Sequence, residues 1–403
     1  MSTHDIKALT APAPVKMPAW TLGLAALALV AGVAAFALNL KAQPTVAWGA
    51  WLIGAFYALG LAVFGVLWVS ILHVSKGDWS VTLRRIPEAM MAWVVPGGAA
   101  AIAVIVGGHE VYLWMHKATV AADPALARKA AFLNPNLFIA LIAVAVVLWA
   151  LFGFLLVRNS RTQDKTGAVA LTRANRTLSA LFIVVYAVTF SIATYYLLLS
   201  IETHWSSTMY AVLTFTDMMQ TGLAFMALVT AGLMMGGKLS GFVNENHLHS
   251  LGKMLFAATG FWAYIFFCQF LLIWYANIPE EVVYFVRRFD NGWLPYLMLL
   301  PFLKFVLPFI VLVPRIAKRT PAIVMLMSLV ILIGQFFELY LLVAPGLGAH
   351  GEHGAHAHAP LIEAGVTAGF VGAFYLVFAL SYGRNSPVPV KDPRLRKCLE
   401  LHQ

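Results

Sequence analysis

The chain has 403 residues, of which 61% are hydrophobic and only 11% charged, where a water-soluble domain carries about 25% charged residues. That balance excludes a soluble globular protein, because the apolar residues run in blocks long enough to cross a hydrocarbon core of about 30 Å as helices. The formal net charge of +10 sits in alternate connections between those blocks, an orientation signal of membrane proteins and not a footprint for nucleic acid.

In chain order, a polar N-tail (1–19) broken by Pro12, Pro14 and Pro18 precedes the first apolar block. A cleaved signal peptide has a basic start leading straight into a short apolar core, so the first block reads as a retained span. The predicted spans are 20–40, 48–72, 88–116, 134–157, 177–201, 207–235, 250–276, 293–313, 321–343 and 361–382. The fold class is therefore an all-α membrane protein of about ten transmembrane helices. They form one domain over 20–382, followed by a C-tail over 383–403.

Lys and Arg fix the expected orientation. Lys7, Lys16, Lys76, Arg84, Arg85, Arg158, Arg161, Lys165, Arg173, Arg176, Lys238, Lys253, Arg315, Lys318, Arg319, Arg384, Lys391, Arg394, Arg396 and Lys397 fall on one side. Only Lys41, Lys117, Arg128, Lys129, Arg287 and Arg288 fall on the other. The positive-inside rule then places both termini in the cytoplasm. Spans 2–5 (48–201) and 6–9 (207–343) divide into two four-helix units of the same topology, the pattern of a parallel repeat.

Two cysteines, Cys268 and Cys398, do not make a four-cysteine iron–sulfur site, and no Cys-x-x-Cys-His haem attachment is present. His73, His109 and His116 lie at depths that do not pair for axial ligation, so the chain is expected to bind no haem. His350, His353, His356 and His358 punctuate a Gly/Ala-rich external loop. It reads as low-complexity sequence, with divalent-metal binding as the alternative, and no metal site is assigned.

Ionisable groups inside spans carry most of the functional information, since each needs a partner, water or the bundle interior. In span 6, Tyr210, Thr214, Asp217 and Thr221 recur at four, three and four residues, which is one helical face. A carboxylate flanked by hydroxyls suits proton exchange. Lys304 lies mid-span between Pro301 and Pro308, and Pro308 strips the Lys304 carbonyl of its helical donor. Asp217 and Lys304 are read either as part of a proton path or as a fixed ion pair. Gln335 and Glu338 share a face of span 9, with Ser328 below, and Glu338 is expected nearer the external surface.

His109 and Glu110 sit toward the external end of span 3, beside Gly107 and Gly108. On a continuous helix, His109, Tyr112 and His116 share a face. That face reads as an interfacial polar cluster or as a groove for a quinone headgroup. Pro96, Gly97 and Gly98 suggest a kink or cavity wall deeper in the span. The stripe of Tyr186, Thr189, Tyr196 and Ser200 in span 5 reads as interhelical packing. Arg84, Arg85 and the basic C-tail read as contacts to anionic lipid heads.

Three segments taken together carry a resemblance. They are His73-Val74-Ser75-Lys76-Gly77-Asp78-Trp79-Ser80-Val81-Thr82-Leu83-Arg84-Arg85-Ile86-Pro87-Glu88, the stretch from Tyr210 to Gln220, and the run from Asn244 through His249 to Pro279, Glu280 and Glu281. With the ten-span count, the chain resembles the smaller polysulfide-reductase-like membrane subunit of bacterial alternative complex III, a respiratory quinol:electron-acceptor oxidoreductase. The resemblance implies a bacterial inner-membrane location and two four-helix bundles flanked by a peripheral helix on each side. It also implies a homologous larger membrane subunit, a periplasmic iron–sulfur subunit and c-type cytochrome subunits as partners, which hold the haem c and iron–sulfur clusters. The larger sister is the stronger candidate for quinol oxidation, and the smaller is a possible proton conduit. Asp217, Lys304, Glu338, His109 and Glu110 are matched to that role by position and chemistry.

The expected function is thus a membrane subunit of an electron-transport complex, without its own redox centre and not catalytic alone. An ion-coupled transporter and a passive scaffold are the alternatives.

Overall fold

The computed structural model of the chain describes residues 12–347 and 356–401, and among them there is helix and no strand. Ten helices are long and apolar enough to cross a membrane: α1 (Ala19–Ala42), α2 (Pro44–Val74), α3 (Arg85–Val111), α4 (Pro135–Thr166), α5 (Val169–Ile201), α6 (Tyr210–Met235), α7 (Glu245–Ala276), α8 (Leu294–Leu312), α9 (Pro321–Leu347) and α10 (Leu361–Tyr382). The protein is an all-α, multi-pass membrane protein. Each predicted span has its helix, with ends displaced by a few residues where caps decide. Asn134 accepts from the Leu137 N–H to open α4, and Asn244 with His247 forms a capping box at α7.

Helices α2, α3, α4 and α5 close one four-helix ring, and α6, α7, α8 and α9 close a second. The rings meet along α2, which touches both α6 and α9, and the Tyr57 hydroxyl on α2 donates to the Leu332 carbonyl on α9 at 2.9 Å. That position explains the sequence of α2, apolar on every side because no side of it faces water or much lipid.

Helices α1 and α10 do not stand on opposite flanks, as the resemblance implies. They pack on one another and together cover α2 and α3. Lipid is as apolar as Leu, so close van der Waals contact, not burial from water, holds such a pair. Gly32 and Gly369 provide it: a Cβ on Gly32 would lie 2.5 Å from the Gly369 Cα. The Tyr375 hydroxyl donates to Thr21 Oγ1 at 2.9 Å, so α1 begins where α10 ends. The face holding these ends is called the terminal face below.

On that face the C-tail turns back over both rings. Arg84 pairs with Asp392 at 2.7 Å and with Glu88 at 3.3 Å, while Arg85 pairs with Glu88 and Asp164. Further along, the Cys398 carbonyl lies 3.0 Å from His247 Nε2 on α7. Arg84 and Arg85 are 2% and 5% exposed, so they do not reach lipid heads as their loop position suggests. Arg84 takes one partner, Asp392, from the distant tail, and Glu88 and Asp164 complete the set. Burial pushes the Asp392 carboxyl up, but Arg84 and Arg394 outweigh it and hold it down at about 2.

Candidate functional site

The site grows from an irregularity in α8. Residues Phe302–Val306 form a π-helical turn, in which the Leu307 N–H donates to the Phe302 carbonyl. Pro308 has no N–H to offer the Lys304 carbonyl. Gln220 of α6 supplies the missing donor, with Nε2 2.7 Å from that carbonyl oxygen. The wide turn pushes Lys304 into the second ring, where its side chain is fully buried. Gly334 on α9 makes room for it, since a Cβ there would lie 2.6 Å from Lys304 Cγ.

The Lys304 ammonium donates to Asp217 Oδ1 at 3.0 Å, to Gln335 Oε1 at 2.8 Å and to the Glu338 carboxylate. Thr221 donates to the same Gln335 oxygen at 2.8 Å. Trp262 Nε1 donates to Glu338 Oε1 at 3.0 Å, and its ring lies 4.7 Å from the ammonium. Asp217, Gln335 and Glu338 are no more than 4% exposed. Two carboxylates therefore face one ammonium away from water. Asp217 Oδ2 and Gln220 Oε1 carry no hydrogen bond among the described residues.

Away from the terminal face, Glu338 borders a cavity of about 20 Å³ that Gln269 and Arg288 also line. A water needs about 10–15 Å³ and polar neighbours, so this space is large enough for one. Gln269 is 4% exposed, and neither its amide nitrogen nor its oxygen has a hydrogen-bond partner among the described residues. It also lines a cleft of about 490 Å³ with Tyr195, Ser207, Thr208 and Glu281 on the opposite face of the protein. Gln269 is thus the shared wall between an open cleft and a cavity against Glu338. Toward the terminal face, the segments between Gln335 and Ser328 and between Thr221 and Thr230 are entirely apolar.

Arg288 anchors this end of the second ring. Its guanidinium donates to Glu202 at 2.7 Å, to the Leu341 carbonyl at 3.0 Å and to the Tyr284 carbonyl at 2.8 Å. It also stacks 3.5 Å above the Tyr284 ring. The sequence reading treats Arg288 as one loop charge among six. Glu202 and Leu341 lie in two other segments, so only the tertiary fold reveals its role.

Of the predicted site residues, Asp217, Lys304, Gln335, Glu338 and Thr221 converge. Glu338, one turn beyond Gln335 toward the far end of α9, is in the cluster itself. Tyr210 and Thr214 are buried on the same stripe, but Thr214 donates to the Tyr210 and Ala211 carbonyls and, at 3.4 Å, to Thr194. Gln220, Trp262, Gly334 and Gln269 are additions from the structure.

His109, Glu110, Tyr112 and His116 lie apart, at the far end of the first ring. The helix of α3 stops at Val111 and Tyr112 is extended, so the continuous face expected for residues 109, 112 and 116 does not exist. Tyr112 turns inward and donates to the Leu197 carbonyl at 3.0 Å. His109 and His116 meet edge-to-face, with ring centroids 5.2 Å apart. Glu110 accepts from Thr45 at 2.7 Å. Pro96 sits within an α-helical stretch (Val94–Ala103), and α3 is interrupted on either side of it at Met91–Trp93 and Val104–Gly107.

Among the described residues no group of three His, Cys, Asp or Glu side chains can hold a metal. His350 and His353 lie outside those residues. His358 pairs with Glu363 at 2.8 Å, which raises its pKa above the usual histidine value. No protein-family model and no curated protein matches this chain.

Proposed function

We propose that this chain is a membrane subunit of a bacterial respiratory quinol:electron-acceptor oxidoreductase of the alternative complex III type. In this reading it lacks a redox centre of its own and carries a proton site at Lys304. The carrying observation is the buried meeting of two carboxylates with one ammonium. With Asp217 and Glu338 both ionised, the site holds one net negative charge in a dry interior, which is costly. One added proton makes it neutral. Glu338 then exchanges that proton through the one-water cavity and Gln269 with the cleft on the face away from the termini. The apolar stretches toward the terminal face favour exchange on that one side. The ten-helix, two-ring architecture and the three resembling segments support the choice of complex.

Affinity purification of the chain from its native membranes tests the assignment. Iron–sulfur and c-type cytochrome subunits are expected to accompany it. A stable chain that purifies alone and moves a solute into liposomes would contradict the assignment and favour a transporter. Within the complex, Asp217→Asn is expected to lower proton release per electron while leaving haem reduction by quinol intact. Unchanged proton release would reduce the chain to a scaffold.

A further inference from the structure

We propose that the groove between the terminal-face ends of α3, α4 and α10 binds one anionic phospholipid. Arg161, Arg384 and Ser381 line a cleft of about 370 Å³ there, together with Ala92, Val377 and Leu380. Both arginines are exposed, and neither makes an ion pair or hydrogen bond among the described residues.

The nearby carboxylates are already committed. Glu88 pairs with Arg84 and Arg85, Asp164 with Arg85, and Asp392 with Arg84 and Arg394. Arg84, Arg85, Arg161, Arg384 and Arg394 thus face three acids, leaving two positive charges uncompensated (five minus three). A smaller inner cavity shares Arg161 and Ser381 with the cleft and extends to Arg85. Arg85 is 5% exposed, and its Nε has no hydrogen-bond partner among the described residues.

Guanidinium groups bind phosphate through charge-assisted, often bidentate hydrogen bonds. The rest of the wall identifies the source of the phosphate. Val377 and Leu380 lie on α10 one to two turns deeper than Arg384, and Leu380 is 63% exposed. A soluble anion uses the arginines and leaves that wall bare, whereas a phospholipid places its headgroup on the arginines and an acyl chain along the wall. Basic pockets between helices at a membrane interface take anionic lipids on these grounds.

The test uses the full-length chain in a neutral detergent, titrated with phosphatidylglycerol, phosphatidylcholine, inorganic phosphate or poly-glutamate while the thermal unfolding midpoint is followed. Phosphatidylglycerol is expected to raise the midpoint saturably, and the other three are not. The Arg161→Gln/Arg384→Gln variant should weaken that response by about tenfold or more, and Arg161→Lys/Arg384→Lys by less, since charge remains without the planar fork. Both arginines are exposed, so the unliganded midpoint of each variant should match the parent.

Equal responses to phosphatidylcholine, or an unchanged response in the Gln variant, would overturn the proposal. A matching shift with inorganic phosphate would replace the lipid with a soluble anion. A response to poly-glutamate and none to phosphatidylglycerol would replace it with an acidic protein segment.

Discussion

Among the described residues, Lys304 is the only cation whose side chain meets the buried cluster, so its removal leaves Asp217 and Glu338 facing each other without compensation. Breaking a buried pair in this way costs about 3–5 kcal/mol. Lys304→Met should therefore lower the thermal midpoint of the purified protein sharply. Stability should partly return at acid pH, where the carboxylates are neutral, and in the Lys304→Met/Asp217→Asn/Glu338→Gln triple variant. A Lys304→Met protein as stable as the parent at neutral pH would mean that the cluster is not charged as described. Gln220→Leu is a milder test. It strands the Lys304 carbonyl, and an orphaned buried acceptor costs about 1–3 kcal/mol.

At this scale the sequence was partly legible. The stripe of Asp217 and Thr221 follows from helical period alone, and the stranded Lys304 carbonyl follows from the covalent structure of proline. Gln220, which satisfies that carbonyl, lies off the stripe and is placed by the register of α6 against α8. Gly334 has no signal beyond being a glycine in an apolar helix. Reading His109, Tyr112 and His116 as one face failed because it assumed a helix that ends at Val111.

Among elements, the contact of α1 with α10 depends on the close approach at Gly32, Gly369 and Gly372 and on the Tyr375–Thr21 hydrogen bond. Gly369→Leu should push the pair apart and cost about 1–3 kcal/mol, as overpacking does. Gly23→Leu is the control, because nothing lies within 4 Å of a Cβ there. A cysteine pair placed across the interface should crosslink in the parent and the control, and poorly in Gly369→Leu. Equal crosslinking in all three would disprove the close packing. The existence of ten helices was legible because twenty-residue apolar blocks have no other use. Their partners were not, because a lipid-facing surface and a helix-facing surface share the same apolar composition.

Across the whole molecule, the C-tail ties the two rings together on the terminal face through Asp392 to Arg84 and through Cys398 to His247. Asp392 has its pKa lowered from 3.8 to about 2. Its contribution, about 2 kcal/mol, is therefore present in full above pH 4 and is lost as pH falls through 2. Asp392→Asn should remove that contribution at neutral pH, exposing the tail to limited proteolysis while the helices stay protected. Unchanged cleavage would show that the tail is held without this pair. The charges of Arg84, Arg85 and the tail were all visible in the sequence. Their burial was not, since a basic loop reads the same whether a distant segment folds over it or not.

The central claim, that the cluster around Lys304 takes and releases one proton, is tested most directly by infrared difference spectroscopy of the assembled complex during quinol turnover. The account predicts a carboxylic-acid carbonyl band that appears or disappears with turnover, shifts in heavy water, and is lost in Glu338→Gln or Asp217→Asn. A spectrum without such a band, or with one that survives both substitutions, would contradict it.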